Sequence, residues 1–349
     1  MNVTLTSLAD LADLPFDQII DVRSPAEWAE DHIPGAINLP VLDDAERARV
    51  GTIYKQESPF LARKIGGALV AQNAARHLMG PLADKPGSYR PLVYCWRGGQ
   101  RSGSFASILE QIGWRVGLIS GGYKTYRRLV VKAVYDAPFP APVVILDGNT
   151  GTAKTDILAG LSARGVQVID LEGLAHHRGS VFGGRAGGQP SQKAFEGAIA
   201  RAIAGLDTAR PGVVEAESSK IGALIVPPAL WKAMSSARRL IVAAPLAARA
   251  AYLTRAYADI LADRAALARI LDGLRPLHPA EVIDAWLALA ALGDDTTLAA
   301  DLMARHYDPR YARHRARMGG EEARFDLPDL APGTLERLAD DIARHLAPG

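Results

Sequence analysis

Residues 143–158, VVILDGNTGTAKTDIL, set an unbroken apolar run directly before a glycine-rich loop and the start of a helix. Few folds accommodate that order: it reads as strand, loop and helix N-terminus, the local unit of a parallel α/β sheet. The loop nearly matches G-x-x-x-x-G-K-[ST]. Gly148, Lys154 and Thr155 stand in place, Asn149, Thr150, Gly151 and Thr152 fill the interval, and Ala153 replaces the last glycine. Main-chain N–H groups of such a loop cradle a di- or triphosphate, Lys154 reaches the terminal oxygens, and Thr155 offers a hydroxyl to Mg2+. The methyl of Ala153 costs little if its φ is negative and is a real strain if φ is positive.

The same alternation runs through the chain. Apolar runs at 18–22, 90–95 and 115–122 precede the loop. Runs at 166–173, 211–219 and 238–244 follow it. Between the two sets, prolines at 138, 140 and 142 make a stiff joint, which divides the chain into expected domains 1–137 and 138–349. Both are expected to be α/β, each a parallel sheet with helices on both faces, and the second ends in a helical region from about residue 245 that is broken at RPLHP and GDDTT. Asp170 and Glu172 are expected at the end of one strand of the second domain and Glu215 and Glu217 at the end of the next. They are either ligands for a metal or an acceptor, or solvated strand ends. In DLEGLAHHRGSVFGG (170–184) the neighbouring His176 and His177 point in different directions, one packed and one exposed, so no shared metal site is expected. Arg178 suits bidentate pairing with phosphate oxygens.

Among 349 residues there is one cysteine, so no internal disulfide and no Cys-x-x-Cys metal pair can form. That usage fits a reducing cytoplasm. The N-terminal stretch carries acids where an export signal is apolar, and the apolar run VIDAWLALAALG is too short to span a bilayer. A net charge of +2 neither requires nor excludes a nucleic-acid partner.

That cysteine sits in YCWRGGQRSGS (94–104), between an apolar run and a helix-like segment. Three features lower its pKa: N–H groups of the Gly98–Gly99 loop, the following helix N-terminus, and the charges of Arg97 and Arg101. The same cradle suits phosphate, sulfite or selenophosphate. The alternative is a core cysteine at a strand end.

IIDVRSPAEWAEDHIPGAINLP, YCWRGGQRS and LISGGYKTY, in that order over residues 4–130, resemble a rhodanese domain. The resemblance implies that Cys95 carries a persulfide or perselenide, and that Asp21 and Arg23 form an internal polar pair. One departure stands out: arginine normally falls five positions after the cysteine of a rhodanese loop, whereas Arg101 falls six after Cys95. That is the Cys-x5-Arg spacing of the related cysteine-dependent phosphatases, so phosphatase chemistry stays open on this motif.

With the phosphate loop, YKQESPFLARKIGGALVAQNAA (54–75), IDLEGLAHHRGSVFG (169–183), EAESSKIG (215–222) and YDPRY (307–311), nearly the whole chain resembles the bacterial tRNA 2-selenouridine synthases. The resemblance implies a cytoplasmic enzyme that replaces the sulfur of wobble-position 2-thiouridine in tRNA with selenium from selenophosphate, after S-geranylation from geranyl diphosphate. It also implies a partner enzyme that makes selenophosphate. Lys154 and Arg178 would then stabilise departing diphosphate, and Cys95 would handle selenium. Segments 127–132 and 310–324, Tyr307, Tyr311, Lys55, Arg63 and Lys64 are candidates for RNA contact. Two rival readings are a sulfurtransferase or cysteine-dependent phosphatase with a nucleotide-binding regulatory domain, and a non-catalytic binding module.

Overall fold

The computed structural model describes residues 1–97, 99–316 and 320–347. The chain divides into two compact units, Met1–Ala137 with Pro190–Gly205, and Pro138–Gln189 with Leu206–Gly349.

The first unit holds five parallel strands: β1 (Asn2–Val3), β2 (Gln18–Asp21), β3 (Ile37–Asn38), β4 (Pro91–Tyr94) and β5 (Gly117–Ile119), in the order β1-β5-β4-β2-β3. Central strand β4 is buried at all four positions, as a strand covered on both faces must be. Ile20, Val93, Phe105 and Leu109 are among the residues of its core. The helix Pro25–Glu30 starts with Ser24 and Glu27 in a capping box and proline in the first turn. Two longer helices, Asp44–Gln56 and Pro59–Met79, stand between β3 and β4. The helix Gln192–Ala204 belongs to this unit. Its Glu196 takes an ion pair from Arg127 and a 2.6 Å hydrogen bond from the Tyr135 hydroxyl. Gly197 leaves room for Tyr126, whose oxygen would lie 2.7 Å from any added Cβ.

The second unit is built on β6 (Val143–Gly148), β7 (Gln167–Ile169), β8 (Gly212–Glu215), β11 (Arg238–Ala243) and β12 (Glu321–Asp326), all parallel, in the order β12-β11-β6-β8-β7. A small hairpin pairs β9 (Lys220–Ile221) with β10 (Leu224–Ile225). Among the described residues, two apolar clusters organise the unit. One joins the sheet to the helices Lys154–Ala163 and Pro332–Leu346. The other packs Phe182 against the C-terminal helices through Leu271, Ile283, Trp286 and Leu302.

Two expectations need correction. The strand expected over 166–173 stops at Ile169, because the Asp170 side chain accepts the Gly173 N–H at 2.8 Å and caps the short helix Leu171–Leu174. Asp170 stands at the strand end as expected and caps that helix, whereas Glu172 lies within the helix. The region after 245 is also not all helical, since β12 forms the sheet edge. As an edge strand it alternates exposed and half-buried positions, so EEARFD lacks the apolar run that marks a buried strand. Among the described residues no helix is long and apolar enough to cross a membrane.

Candidate functional site

β4 delivers Cys95 to the carboxyl edge of the first sheet. The helix Gln100–Gln111 starts there with Gly99 at its N-cap and no capping side chain, which leaves first-turn N–H groups as orphan donors. The sulfur fills the vacant cap. The Ser102 hydroxyl donates to Sγ at 3.2 Å, and the Ser102 and Gly99 amides add hydrogen bonds. Burial to 5 % exposure pushes the thiol up. The Ser102 hydroxyl, the two amides and the charge of Arg101 outweigh it, so the thiol ionises below its ordinary value. The Cys95 and Trp96 carbonyls accept the Tyr123 and Lys124 amides at 2.9 and 3.0 Å.

Around the loop, Arg97 is exposed and Arg101 is tied to Glu27 at 2.6 Å. Asp21 and Arg23 form a fully buried pair at 2.6 Å, with the Arg23 guanidinium 4.1 Å from the Tyr123 ring centroid and donating to the Asp31 carbonyl. This pair ties the end of β2 to the Asp31 main chain and the Tyr123 ring. Gly98 lies outside the described residues.

In the second unit, β6 runs into the phosphate loop and the helix Lys154–Ala163. A Cβ on Gly148 would lie 2.3 Å from Thr152 Oγ1 and 2.9 Å from the Val242 carbonyl, so the loop closes only over glycine. Gly151 has φ +84° and Ala153 φ +57°, the strained case for alanine. Arg249 donates to the Thr150 carbonyl at 3.1 Å, and Arg315 to Asn149 Oδ1 at 2.6 Å, both bracing the loop from outside. Lys154 Nζ donates to the Gly148 carbonyl at 3.0 Å. Burial disfavours its charge, but Tyr311, Glu172, Glu217 and Asp147 outweigh that and raise its pKa.

A cavity of about 740 Å³ opens over the loop, lined by Thr150–Thr155, Glu172, Arg178, Arg185, Arg255 and Tyr257 among others. Arg178 is held by both oxygens of Asp259 at 3.0 Å and lies 4.9 Å from the Tyr257 ring. Its Nη1 and the Nε of Arg185 are buried without a hydrogen-bond partner among the described residues. Two unsatisfied guanidinium donors beside Lys154 and a phosphate loop make an anion site. A second, narrower cleft of about 60 Å³ adjoins it and shares Thr150, Ser180, Leu253 and Tyr257. Phe182, Ile260, Leu261, Leu298, Leu302 and Met303 make most of the rest of its wall apolar.

Three carboxylates stand behind the loop. Glu215 accepts the Glu172 amide at 2.6 Å, while its other oxygen is buried without a hydrogen-bond partner among the described residues. Burial, with Asp170 and the other two carboxylates, raises its pKa strongly. Glu217 is pushed up to about 8 by burial and by Glu172. Burial also raises Glu172, against the pull of Lys154. A Cβ on Gly179 would sit 2.6 Å from Glu217, so glycine there lets the loop close on the carboxyl. Glu172 also lies 3.5 Å from Thr155 Oγ1.

His176 and His177 are both half-buried, not one packed and one exposed. Tyr311 stands over Lys154, 5.6 Å from Nζ to ring centroid, and Tyr307 lines the apolar cleft, so both rings are engaged inside the unit. Lys55, Arg63 and Lys64 are exposed. The sequence reading missed four contributors. Ser102 had a signal, a hydroxyl in the first turn beside Arg101. Arg185 had one too, an arginine between glycine pairs. Glu27 and Asp259 had none, because each meets its arginine only through the fold.

Two family models match the chain: the rhodanese-like domain over residues 4–129, and the tRNA 2-selenouridine synthase AAA domain over 141–272. The tRNA 2-selenouridine synthase of Alcanivorax borkumensis is 33% identical over 331 residues, 86% of this chain and 90% of that protein. That of Hahella chejuensis is 33% identical over 327 residues, 84% of each chain. That of Chromohalobacter salexigens is 39% identical over 244 residues, 70% of this chain and 66% of that protein.

Proposed function

The chain belongs to the tRNA 2-selenouridine synthase family, and from that membership we propose that it replaces the sulfur of a wobble 2-thiouridine in tRNA with selenium from selenophosphate, through an S-geranylated base made from geranyl diphosphate. Thiocarbonyl sulfur is a poor leaving group until it is alkylated. In the first step the sulfur attacks C1 of the geranyl group, the C1–O bond breaks, and diphosphate leaves with the electron pair. Lys154, Arg178 and Arg185 stabilise that departing charge. Alkylation also releases the N3 proton of the base, and we assign its capture to Glu172, which lines the cavity. In the second step a selenium nucleophile supplied at the Cys95 loop displaces geranylthiolate.

The reading rests most on one observation. The anion cavity and the apolar cleft share four residues, which suits a diphosphate bearing a hydrocarbon tail better than one bearing a polar nucleoside. The cleft is narrow, and a ten-carbon chain must widen it. For Mg2+ the chain offers Thr155 Oγ1 and a Glu172 oxygen, with diphosphate oxygens completing the shell. An enzyme of the same compartment, taken to be the cytoplasm, supplies the selenophosphate.

The test uses purified protein with an RNA stem-loop carrying 2-thiouridine, geranyl diphosphate and selenophosphate, read by nucleoside mass analysis. Cys95→Ala is expected to stop at the geranylated base, and Lys154→Ala to leave 2-thiouridine unchanged. Unmodified RNA with the wild-type protein overturns the reading. Equal loss of both products in both variants overturns the division of labour between the two sites.

A further inference from the structure

We propose that Cys95 attacks the phosphorus of selenophosphate, not its selenium, and so acts as a transient phosphoryl acceptor that releases hydrogen selenide for the tRNA base. The proposal rests on the selenophosphate reading above and concerns only which bond the sulfur makes.

Electron balance comes first. Selenium in selenophosphate is already at the oxidation level of selenide. Placing it on a thiolate as a perselenide takes two electrons away, so that route needs an oxidant going in and a thiol reductant coming out. The chain has one cysteine and no second thiol to close such a cycle. Attack at phosphorus is redox-neutral. The Cys95 sulfur forms an S–P bond, the P–Se bond breaks, and selenium leaves as HSe⁻ with the bonding pair. Water then cleaves the S–P bond, giving phosphate and the free thiolate. HSe⁻ adds to C2 of the S-geranylated base and expels geranylthiolate. No electrons are needed from outside.

The geometry suits phosphoryl chemistry. Arg101 follows Cys95 after five intervening residues, and Ser102 comes next. The sulfur caps the N-terminus of the helix Gln100–Gln111. The phosphate oxygens of a selenophosphate held there therefore meet amides and guanidinium groups, the arrangement that favours a dianion. The Ser102 hydroxyl, 3.2 Å from Sγ, stabilises the sulfur as it becomes the leaving group of the hydrolysis step. Glu27 holds Arg101 by two contacts, 2.6 and 3.3 Å, and so orients a planar fork beside the thiol. Selenide is a stable anion, so its departure needs no general acid. Only 5 % of Cys95 is exposed, which favours a compact anion over a bulky aryl phosphate.

The experiment incubates the full chain with thiophosphate, the sulfur analogue, quenches with acid and measures the mass on Cys95. A phosphoryl group and a single chalcogen atom differ clearly in mass for the sulfur compound, though nearly equal for selenium. A phosphoryl adduct with release of sulfide is the expected result. Ser102→Ala also removes a hydrogen bond that ionises the thiol, so the hydrolysis step is read on preformed adduct after thiophosphate is removed: its decay is expected to slow about a hundredfold, and a decay rate equal to wild type overturns the role given to the serine. Arg101→Lys, which keeps charge but loses the fork, is expected to slow adduct formation. A chalcogen atom on Cys95 without phosphoryl, or sulfide release by Cys95→Ala at the wild-type rate, overturns the proposal. A phosphoryl adduct in a protein that never selenates 2-thiouridine RNA leaves the proposal standing and removes the reading it rests on.

Discussion

Arg101 Nη1 lies 2.6 Å from Glu27 Oε2, a contact between the helix that follows the cysteine loop and the helix that follows β2. The pair is largely shielded from water, with 19% and 12% of the side chains exposed. Burial works against the Glu27 charge, but Arg101, the Ser24 amide and Arg47 outweigh it and lower its pKa. Glu27 thus partly neutralises the cation that helps ionise Cys95. Arg101 serves as an oriented donor, while Arg97 on the same loop is exposed.

Opposite effects on the thiol follow. Glu27→Gln removes a negative charge, so Cys95 should ionise more readily and react faster with iodoacetamide near about pH 6, where an ordinary thiol is almost wholly protonated. Arg101→Ala should slow the same reaction. It also strands a shielded carboxylate and should cost about 1–3 kcal/mol in urea unfolding. Alkylation rates that move in the same direction in both variants would contradict the pairing.

The apolar cleft gives a test that separates tail from head. Ala299 lines it and does not line the anion cavity. Ala299→Leu should fill the space, and excluding two or more methylenes should weaken geranyl diphosphate binding by about tenfold or more. Inorganic diphosphate should bind as before. Calorimetric titration of both ligands decides it, and a parallel loss of both affinities would show that the cleft does not receive the tail.

Both cradles were legible in the sequence because each is built from contiguous residues. Gly148 to Thr155 carry their geometry in local backbone, and Cys95 falls between a strand end and a helix start, which leave few alternatives. What was illegible is what closes the sites from a distance. Glu27 reaches Arg101, Asp259 reaches Arg178, and Arg315 reaches Asn149 only after the units fold. No periodicity marks such pairs. The strand β12 was hidden for a different reason: an edge strand has one neighbour and a wet face, so its residues read as polar. The approach of Tyr311 to Lys154 was hidden in the same way, since the two residues are far apart in sequence.

The buried carboxylates predict a pH dependence of stability. Glu217 is pushed up to about 8 by burial and Glu172, from an ordinary value of 4.5. Between those values the native chain keeps a proton that the unfolded chain releases. Its contribution is therefore fully present below about pH 4.5, is lost as pH rises toward about 8, and changes no further above that. Glu217→Gln keeps the shape without titrating, so relative to wild type it should gain about 1–3 kcal/mol on going from about pH 5 to about pH 9. Urea unfolding at the two pH values measures this. An identical pH slope in both proteins would mean that Glu217 is ionised throughout.

Ala153 bears on how the phosphate loop tolerates an unusual residue. At φ +57° it sits in the left-handed region, a strain of about 1–2 kcal/mol for an L-residue. Its methyl group is buried, 3% of the residue being exposed, and burying it returns about 0.8 kcal/mol. Alanine also restricts the unfolded chain relative to glycine by about 0.4–1 kcal/mol. These terms nearly cancel, so Ala153→Gly should change stability by less than about 1 kcal/mol and leave diphosphate affinity close to wild type. Ala153→Val is different, since a β-branched side chain in that region is a true outlier. It should cost about 2 kcal/mol or more and weaken diphosphate binding, because the loop can accept the side chain only by moving the amides that cradle the anion. Thermal unfolding with diphosphate titration checks both variants. A valine variant as stable and as tight-binding as wild type would mean that position 153 does not hold the left-handed turn on which the loop's shape depends.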